Sequence, residues 1–159
     1  MGLQKSVGLS PAIGVSGQKT VLGQSVYTTK NFMSDGNVAA GTFAFAPAAA
    51  TTFPDNVKTE YATNVGTVVL GFVERTLTGA GASSAVYAKG EGLTIAIRGD
   101  YYLVAPAGTT PTAGYKVITT DATGAISFAA SASTGETDTG WVVTEGGSAG
   151  DVIVISNHG

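Results

Sequence analysis

The side chains that could do chemistry in this chain are few and scattered. His158 is the one histidine and stands next to the last residue. An imidazole so placed is far more often solvated than catalytic, so neither a Ser-His nor a Cys-His nucleophile pair can be built around it. Acidic residues form two near pairs, Glu91 with Asp100 and Glu136 with Asp138. Two carboxylates converging on a cleft could hydrolyse a glycoside, but no oxygen-ligand spacing such as a calcium loop accompanies them, and their pattern implies solubility. Cysteine is absent, which removes thiolate metal sites and disulfides alike. The glycine-rich Gly79-Ala-Gly-Ala-Ser-Ser84 lacks the third glycine of a dinucleotide fingerprint and precedes no helix-forming pattern, so it reads as a loop. Met1-Gly2 with Ser6 satisfies the short myristoylation pattern, and with no other membrane signal the match is read as chance. No catalytic residue, cofactor site or metal site is assigned.

Aromatic residues offer binding rather than catalysis. Tyr101 and Tyr102 are adjacent and must face opposite sides of a strand, so at most one enters a core. The expectation is one tyrosine and Trp141 packed inside, with the outward Tyr102 left as an interface anchor.

These residues sit on a train of short strands. Gly99-Asp-Tyr-Tyr-Leu-Val104, Tyr115-Lys-Val-Ile-Thr119, Ala125-Ile-Ser-Phe128, Gly140-Trp-Val-Val-Thr144 and Asp151-Val-Ile-Val-Ile-Ser156 are hydrophobic runs cut by turn residues. Gly99-Asp100 separates Arg98 from Tyr101 as a two-residue hairpin would, and Asp121-Ala-Thr-Gly124 and Glu145-Gly-Gly-Ser-Ala-Gly150 divide later pairs. Upstream, residues 25–32 and 42–46 read as strands, with Phe43 and Phe45 on one core-facing side. Pro54-Asp55 is a turn, and a short helix over 55–61 has weak support. Gly66-Thr-Val-Val-Leu-Gly-Phe-Val-Glu-Arg75 is apolar enough for burial on both faces, with Gly71 marking a bulge or a close backbone approach. Residues 84–87 and 93–98 continue the strand pattern.

Roughly eight to ten strands at this spacing argue for an all-β sandwich, jelly roll or barrel, and a jelly-roll-like β-sandwich over residues 25–159 is the favoured reading. Residues 1–24 mix Gly, Ser and isolated apolar side chains without periodicity. The stretch is read as an extended N-terminal arm that reaches a neighbour, with Leu9, Pro11, Ile13 and Val15 as its contacts; the alternative is a frayed or locally packed terminus.

Composition bears on partners. Charged residues are 12% of the 159-residue chain against 43% hydrophobic, about half the ordinary charged share of roughly 25%. Such a neutral exterior tolerates being covered by a neighbour, a bias toward assembly. The eight Lys and Arg are spread singly and the formal charge is −3, so phosphate-backbone binding to nucleic acid is not expected. The longest apolar run, 68–73, ends at Glu74, far short of the roughly 20 residues of a membrane helix. The N-terminus has no apolar signal-peptide core, which disfavours export by the general secretory route.

The strand wording is also similar to a known family. Phe43-Ala-Phe-Ala46, Val69-Leu-Gly-Phe-Val-Glu-Arg75, Gly99-Asp-Tyr-Tyr-Leu-Val104, Lys116-Val-Ile-Thr119, Asp121-Ala-Thr-Gly-Ala-Ile-Ser-Phe128 and Gly147-Ser-Ala-Gly-Asp-Val-Ile-Val-Ile-Ser156, with Ser10-Pro-Ala-Ile-Gly-Val-Ser-Gly17 before them, resemble the structural cement, or head decoration, proteins of tailed bacteriophages. The resemblance covers most of the chain in order and departs from the pattern over 48–62. It implies a non-enzymatic β-sandwich on the outer surface of the virion that clamps neighbouring major capsid proteins and stabilises the mature shell. A homo-oligomer is expected, a dimer ahead of a trimer. The competing classes are a carbohydrate-binding β module on a phage or cell surface, which needs an exposed aromatic platform, and a self-polymerising fibre or surface-layer protein.

Overall fold

The computed structural model describes residues 14–20, 24–47, 60–76 and 86–158, and these contain strands and turns but no helix. In chain order the strands are β1 (Val26–Tyr27), β2 (Phe32–Ser34), β3 (Phe43–Phe45), β4 (Glu60–Ala62), β5 (Val69–Val73), β6 (Gly92–Leu93), β7 (Ile95–Val104), β8 (Lys116–Thr120), β9 (Ile126–Ala129), β10 (Glu136–Glu145) and β11 (Val152–Asn157). The larger sheet runs β3-β5-β7-β11-β10-β8-β9, with β1 beside β7, and a smaller one runs β4-β2-β6. The fold is all-β, as the turn-punctuated sequence required.

Alternation builds two cores on opposite sides of one layer. Phe43, Phe45, Phe72 and Ala96 face a core completed by Tyr101, Leu103, Val117, Trp141, Val143, Ile153 and Ile155. Their sequence neighbours Ala44, Val73 and Ile95 face a second core with Phe32, Val38, Ala62 and Tyr87. The strand β5 is therefore buried on both sides, which accounts for its unbroken apolar run. At the centre of the first core Phe72 lies 5.2 Å from Phe43, 5.3 Å from Tyr101 and 5.6 Å from Trp141, ring centre to ring centre. These tilted and edge-on pairings bring the positive rim of one ring to the negative face of another.

Gly71 is both the bulge and the close approach that its position in β5 suggested. The β3–β5 register shifts between Ala44 and Phe45, opposite Gly71. Its φ is +149°, and a Cβ there would collide with the Ala96 carbonyl oxygen, so only glycine fits.

Three expectations need correction. Gly99-Asp100 is no hairpin: β7 runs on through it, and Asn157↔Gly99 and Ser156↔Asp100 are rungs of the β7–β11 ladder. The glycine serves a change of neighbours, since residues 95–98 lie beside β5 and β1 whereas 99–104 pair with β11. Its φ of +137° lets the backbone turn at that junction. The proposed helix over 55–61 is replaced at its end by β4, whose parallel pairing with β2 places Tyr61 opposite Met33; residues 55–59 fall outside the described residues. Residues 25–32 likewise form two short strands with a break between them, not one.

Candidate interaction surface

The polar side chains are occupied in holding turns and strands. Three carboxylates close the turns three residues before them, accepting hydrogen bonds from backbone N–H groups: Glu91 from Ala88 at 2.8 Å, Glu136 from Ser133 at 2.9 Å and Asp151 from Ser148 at 2.8 Å. Asp138 faces Lys116 across the β8–β10 pair and accepts from the Gly140 N–H. Partial burial works against its charge, but the Lys116 ammonium and the Gly140 N–H outweigh that and hold it below the usual carboxylate range.

A serine, a histidine and an aspartate do meet at the chain's end, in an order unsuited to catalysis. Asp100 Oδ1 accepts hydrogen bonds from both Ser156 Oγ and His158 Nε2, the latter at 2.8 Å. A nucleophilic serine needs the imidazole next to it to take its proton. Here the carboxylate stands between the two, and His158 is exposed. The arrangement ties the last residues to β7.

A second polar cluster anchors β1. The Tyr101 hydroxyl lies 2.7 Å from Glu74 Oε2 and 2.8 Å from Ser25 Oγ. Burial, with the Glu74 carboxylate adding to it, pushes the Tyr101 hydroxyl far above its ordinary pKa, against a downward pull from Ser25. The same two influences, burial first and then Glu74, raise Tyr27.

A depression of about 600 Å³ is lined by Asp35, Pro47, Tyr61, Thr63, Val68 and Asp121 among others. Both of its carboxylates already hold neighbours: Asp35 takes the Asn37 N–H at 2.8 Å and Asp121 the Thr137 hydroxyl at 2.6 Å. Among the described residues no three His, Cys, Asp or Glu side chains gather as a metal site would require.

What remains is a surface. Along β7 and β11 the side chains alternate, with Tyr101, Leu103, Ile153 and Ile155 facing the core and Tyr102, Val104, Val152 and Val154 facing out. Register stacks the outward set into rows, Val104 beside Val152 and Tyr102 beside Val154, and Val142 of β10 lies next to Ser156 in the following row. Val104 and Val142 are 41% and 38% exposed. The outer face of this sheet thus carries an aliphatic patch of Tyr102, Val104, Val152 and Val154, bordered by Glu145 opposite Val154 and by Asp100, Ser156 and Lys116 in the row of Val142, where an ordinary solvent-facing sheet would be polar throughout.

The residues singled out in the sequence fall partly on this strip. Leu9, Pro11 and Ile13 lie outside the described residues. Val15 is exposed at 49%. Residues 14–20 run along the edge of β7: Gly17 N–H donates to the Tyr102 carbonyl, Tyr102 N–H to Gln18 and Thr20 N–H to Asp100, each near 2.9–3.0 Å. Arg75 N–H donates to Gly17 O at 2.8 Å and joins this segment to the end of β5. Tyr102 is only half exposed because the Gly14 backbone rests on its ring, so closely that a Cβ at residue 14 would overlap it. The structure therefore brings Val15 and Tyr102 together at one margin of the strip. Trp141 is buried to 1% exposure and offers no stacking face to a sugar.

Val104, Val142, Val152 and Val154 were missed in the sequence. Their signal was present in Val-Ile-Val-Ile at 152–155. An edge of water on one side demands polar residues at alternate positions, and their absence there marks a face awaiting cover.

Comparison with known proteins gives a family and a fold. The model of the family described as XM1 gp53 minor capsid protein matches residues 3–157. No curated protein matches the chain. Among solved structures, a chain from "The capsid of Myoviridae Phage XM1" is similar with a TM-score of 0.66, covering 98% of this chain and 97% of that one at 14% identity. At that identity the likeness speaks to the fold.

Proposed function

Because this chain belongs to the XM1 gp53 minor capsid protein family, a family of phage capsid-associated proteins, we propose that it acts as a cement protein on the outer surface of the head. In this reading it clamps neighbouring major capsid proteins and stabilises the mature shell without performing catalysis. The observation that carries the reading is the outward aliphatic strip of Tyr102, Val104, Val142, Val152 and Val154 on a rigid sheet whose inner face is fully committed to the core.

The mechanism is multivalency. A strip of this size, with Val15 at its margin, gives a modest contact by itself, and an arm of residues 1–13, with Leu9, Pro11 and Ile13, supplies a second one. Once the first contact forms, the second is made at high effective concentration, so two weak footprints on adjacent subunits add up to tight retention. A clamp whose footprints match the spacing of the expanded shell favours that state by its difference in affinity for the two.

The test is binding to purified heads of its phage that lack the protein. Co-sedimentation with expanded heads and reduced binding to unexpanded ones is the expected result. Equal binding to both removes the selectivity for the mature shell, and binding to neither removes the cement role. Deleting residues 1–13 lowers head occupancy more than it lowers the melting temperature.

A further inference from the structure

The larger sheet is finished differently at its two ends. At one end β3 is closed off, because Phe45 and Thr63 exchange both backbone hydrogen bonds, at 2.9 and 3.0 Å. At the other end β9 pairs with β8 along one side. Among the described residues no backbone group bonds to the opposite side of β9.

An open edge is a template for another strand, and proteins that must stay apart guard such edges with charges, prolines or bulges. This one has none of those guards. Ile126-Ser-Phe-Ala-Ala-Ser-Ala-Ser133 contains no charged residue and no proline. The β8–β9 register runs without a shift from Lys116↔Ala129 to Thr119↔Ile126. Ile126 and Phe128 reach the aromatic core yet stay half exposed, so apolar surface at the edge is left for a neighbour to cover. Ser127 and Ala129, on the other face, are small and do not obstruct an incoming strand.

We propose that β9 is the site at which a second copy of this chain adds, its own β9 pairing antiparallel across a two-fold axis so that two sheets become one. A two-fold contact sets the same residues against themselves, and a segment without charge meets its own image with no like-charge contact. The formal charge of −3 spread over 159 residues leaves little repulsion at longer range. A four-residue ladder covers far less than the roughly 1,200 Å² at the small end of stable interfaces. The pairing is therefore weak in dilute solution and becomes effective where copies are held near one another.

Sedimentation velocity of the full chain over a concentration series tests this without any head present, so its outcome is separate from that of the shell-binding reading. The wild type is expected to show a concentration-dependent monomer–dimer equilibrium. Ser127→Lys weakens it several-fold, because the axis brings the two introduced lysines close together on one face of the joined sheet, and Ser127→Glu does the same. Mixing the two variants restores dimers through opposite charges, and unchanged melting temperatures show that both variants are folded. A wild type that stays monomeric at millimolar concentration, a Ser127→Lys variant that associates as well as the wild type, or a mixture that fails to pair overturns the proposal. So does a monomeric wild type whose binding to heads is lost on Ser127→Lys, which would give the edge to a shell protein.

Discussion

The two faces of the β7–β11–β10 layer are written in nearly the same alphabet and do opposite things. Tyr101, Leu103, Ile153, Ile155, Trp141 and Val143 point inward and are almost fully buried. Tyr102, Val104, Val152, Val154 and Val142 alternate with them and point outward, partly exposed. Hydrophobicity alone does not separate the sets. What separates them is the covering side chains that the described residues supply: Phe43 and Phe72 do so for the inner face, whereas on the outer face the described residues place Gly14 against Tyr102. An apolar side chain that its own fold does not cover is available to an assembly.

This contrast is broken most severely from the inside. Trp141→Ala removes the ring that packs on Phe43, Phe72 and Tyr101, and denaturant unfolding should show a loss of about 3–5 kcal/mol. Gly71→Ala comes next, at about 2–4 kcal/mol, since it strains a left-handed backbone and drives a methyl into the Ala96 carbonyl. A Gly71→Ala protein as stable as the wild type would mean that β5 and β7 are not packed as closely as described.

Tyr101 and Tyr102 set the comparison within two adjacent residues. Tyr101→Phe deletes the hydroxyl that bridges Glu74 and Ser25 and should cost about 1.5–3 kcal/mol, as for hydrogen bonds to charged groups, while Tyr102→Phe should be close to neutral. The buried hydroxyl also dictates an alkaline limit. Its folded pKa lies above the unfolded one, so its contribution is complete below the ordinary tyrosine range and is lost as pH rises beyond it, where only the unfolded chain releases the proton. Stability followed by urea titration should fall above about pH 10 in the wild type, and less steeply in Tyr101→Phe.

Much of this contrast was legible in the sequence where it depended on local pattern. Phe43-Ala-Phe45 told which side of β3 faces the aromatic core, adjacent Tyr101 and Tyr102 had to divide between the faces, and an interior Gly71 marked a close approach. The reading failed where tertiary context outweighed local chemistry. Gly99-Asp100 has the composition of a turn, but the ladder from β11 carries the strand straight through it. The aliphatic strip was hidden for a related reason: Val152 and Val154 look like core residues until the register with Tyr102 and Val104 shows which face they share. The seat of Gly14 on Tyr102 joins positions 88 residues apart in sequence, which no local signal encodes.

Acid probes a weaker link. Because Asp138 is held below its unfolded pKa, its pairing with Lys116 contributes above the ordinary carboxylate range and is lost as pH falls through the folded value. Both groups are partly exposed, so the effect is small and fades with salt. Asp138→Asn should flatten the low-salt acid limb of the stability profile and leave the high-salt profile nearly unchanged.

The smallest effect on stability belongs to the outer face, and it separates the two faces most sharply. Val104→Thr with Val142→Thr keeps side-chain shape and β propensity while making the strip polar at its two most exposed β7 and β10 positions. The double variant should unfold within about 0.5 kcal/mol of the wild type, as surface substitutions do, yet occupy phage heads less completely in a co-sedimentation titration. Trp141→Ala has the reverse signature, losing occupancy only as the fraction of folded protein falls. If the double variant binds heads as the wild type does, the strip is not a footprint and the grip must come from elsewhere. If it loses stability by several kcal/mol, the outer face is covered from within the chain, and the distinction between the faces collapses.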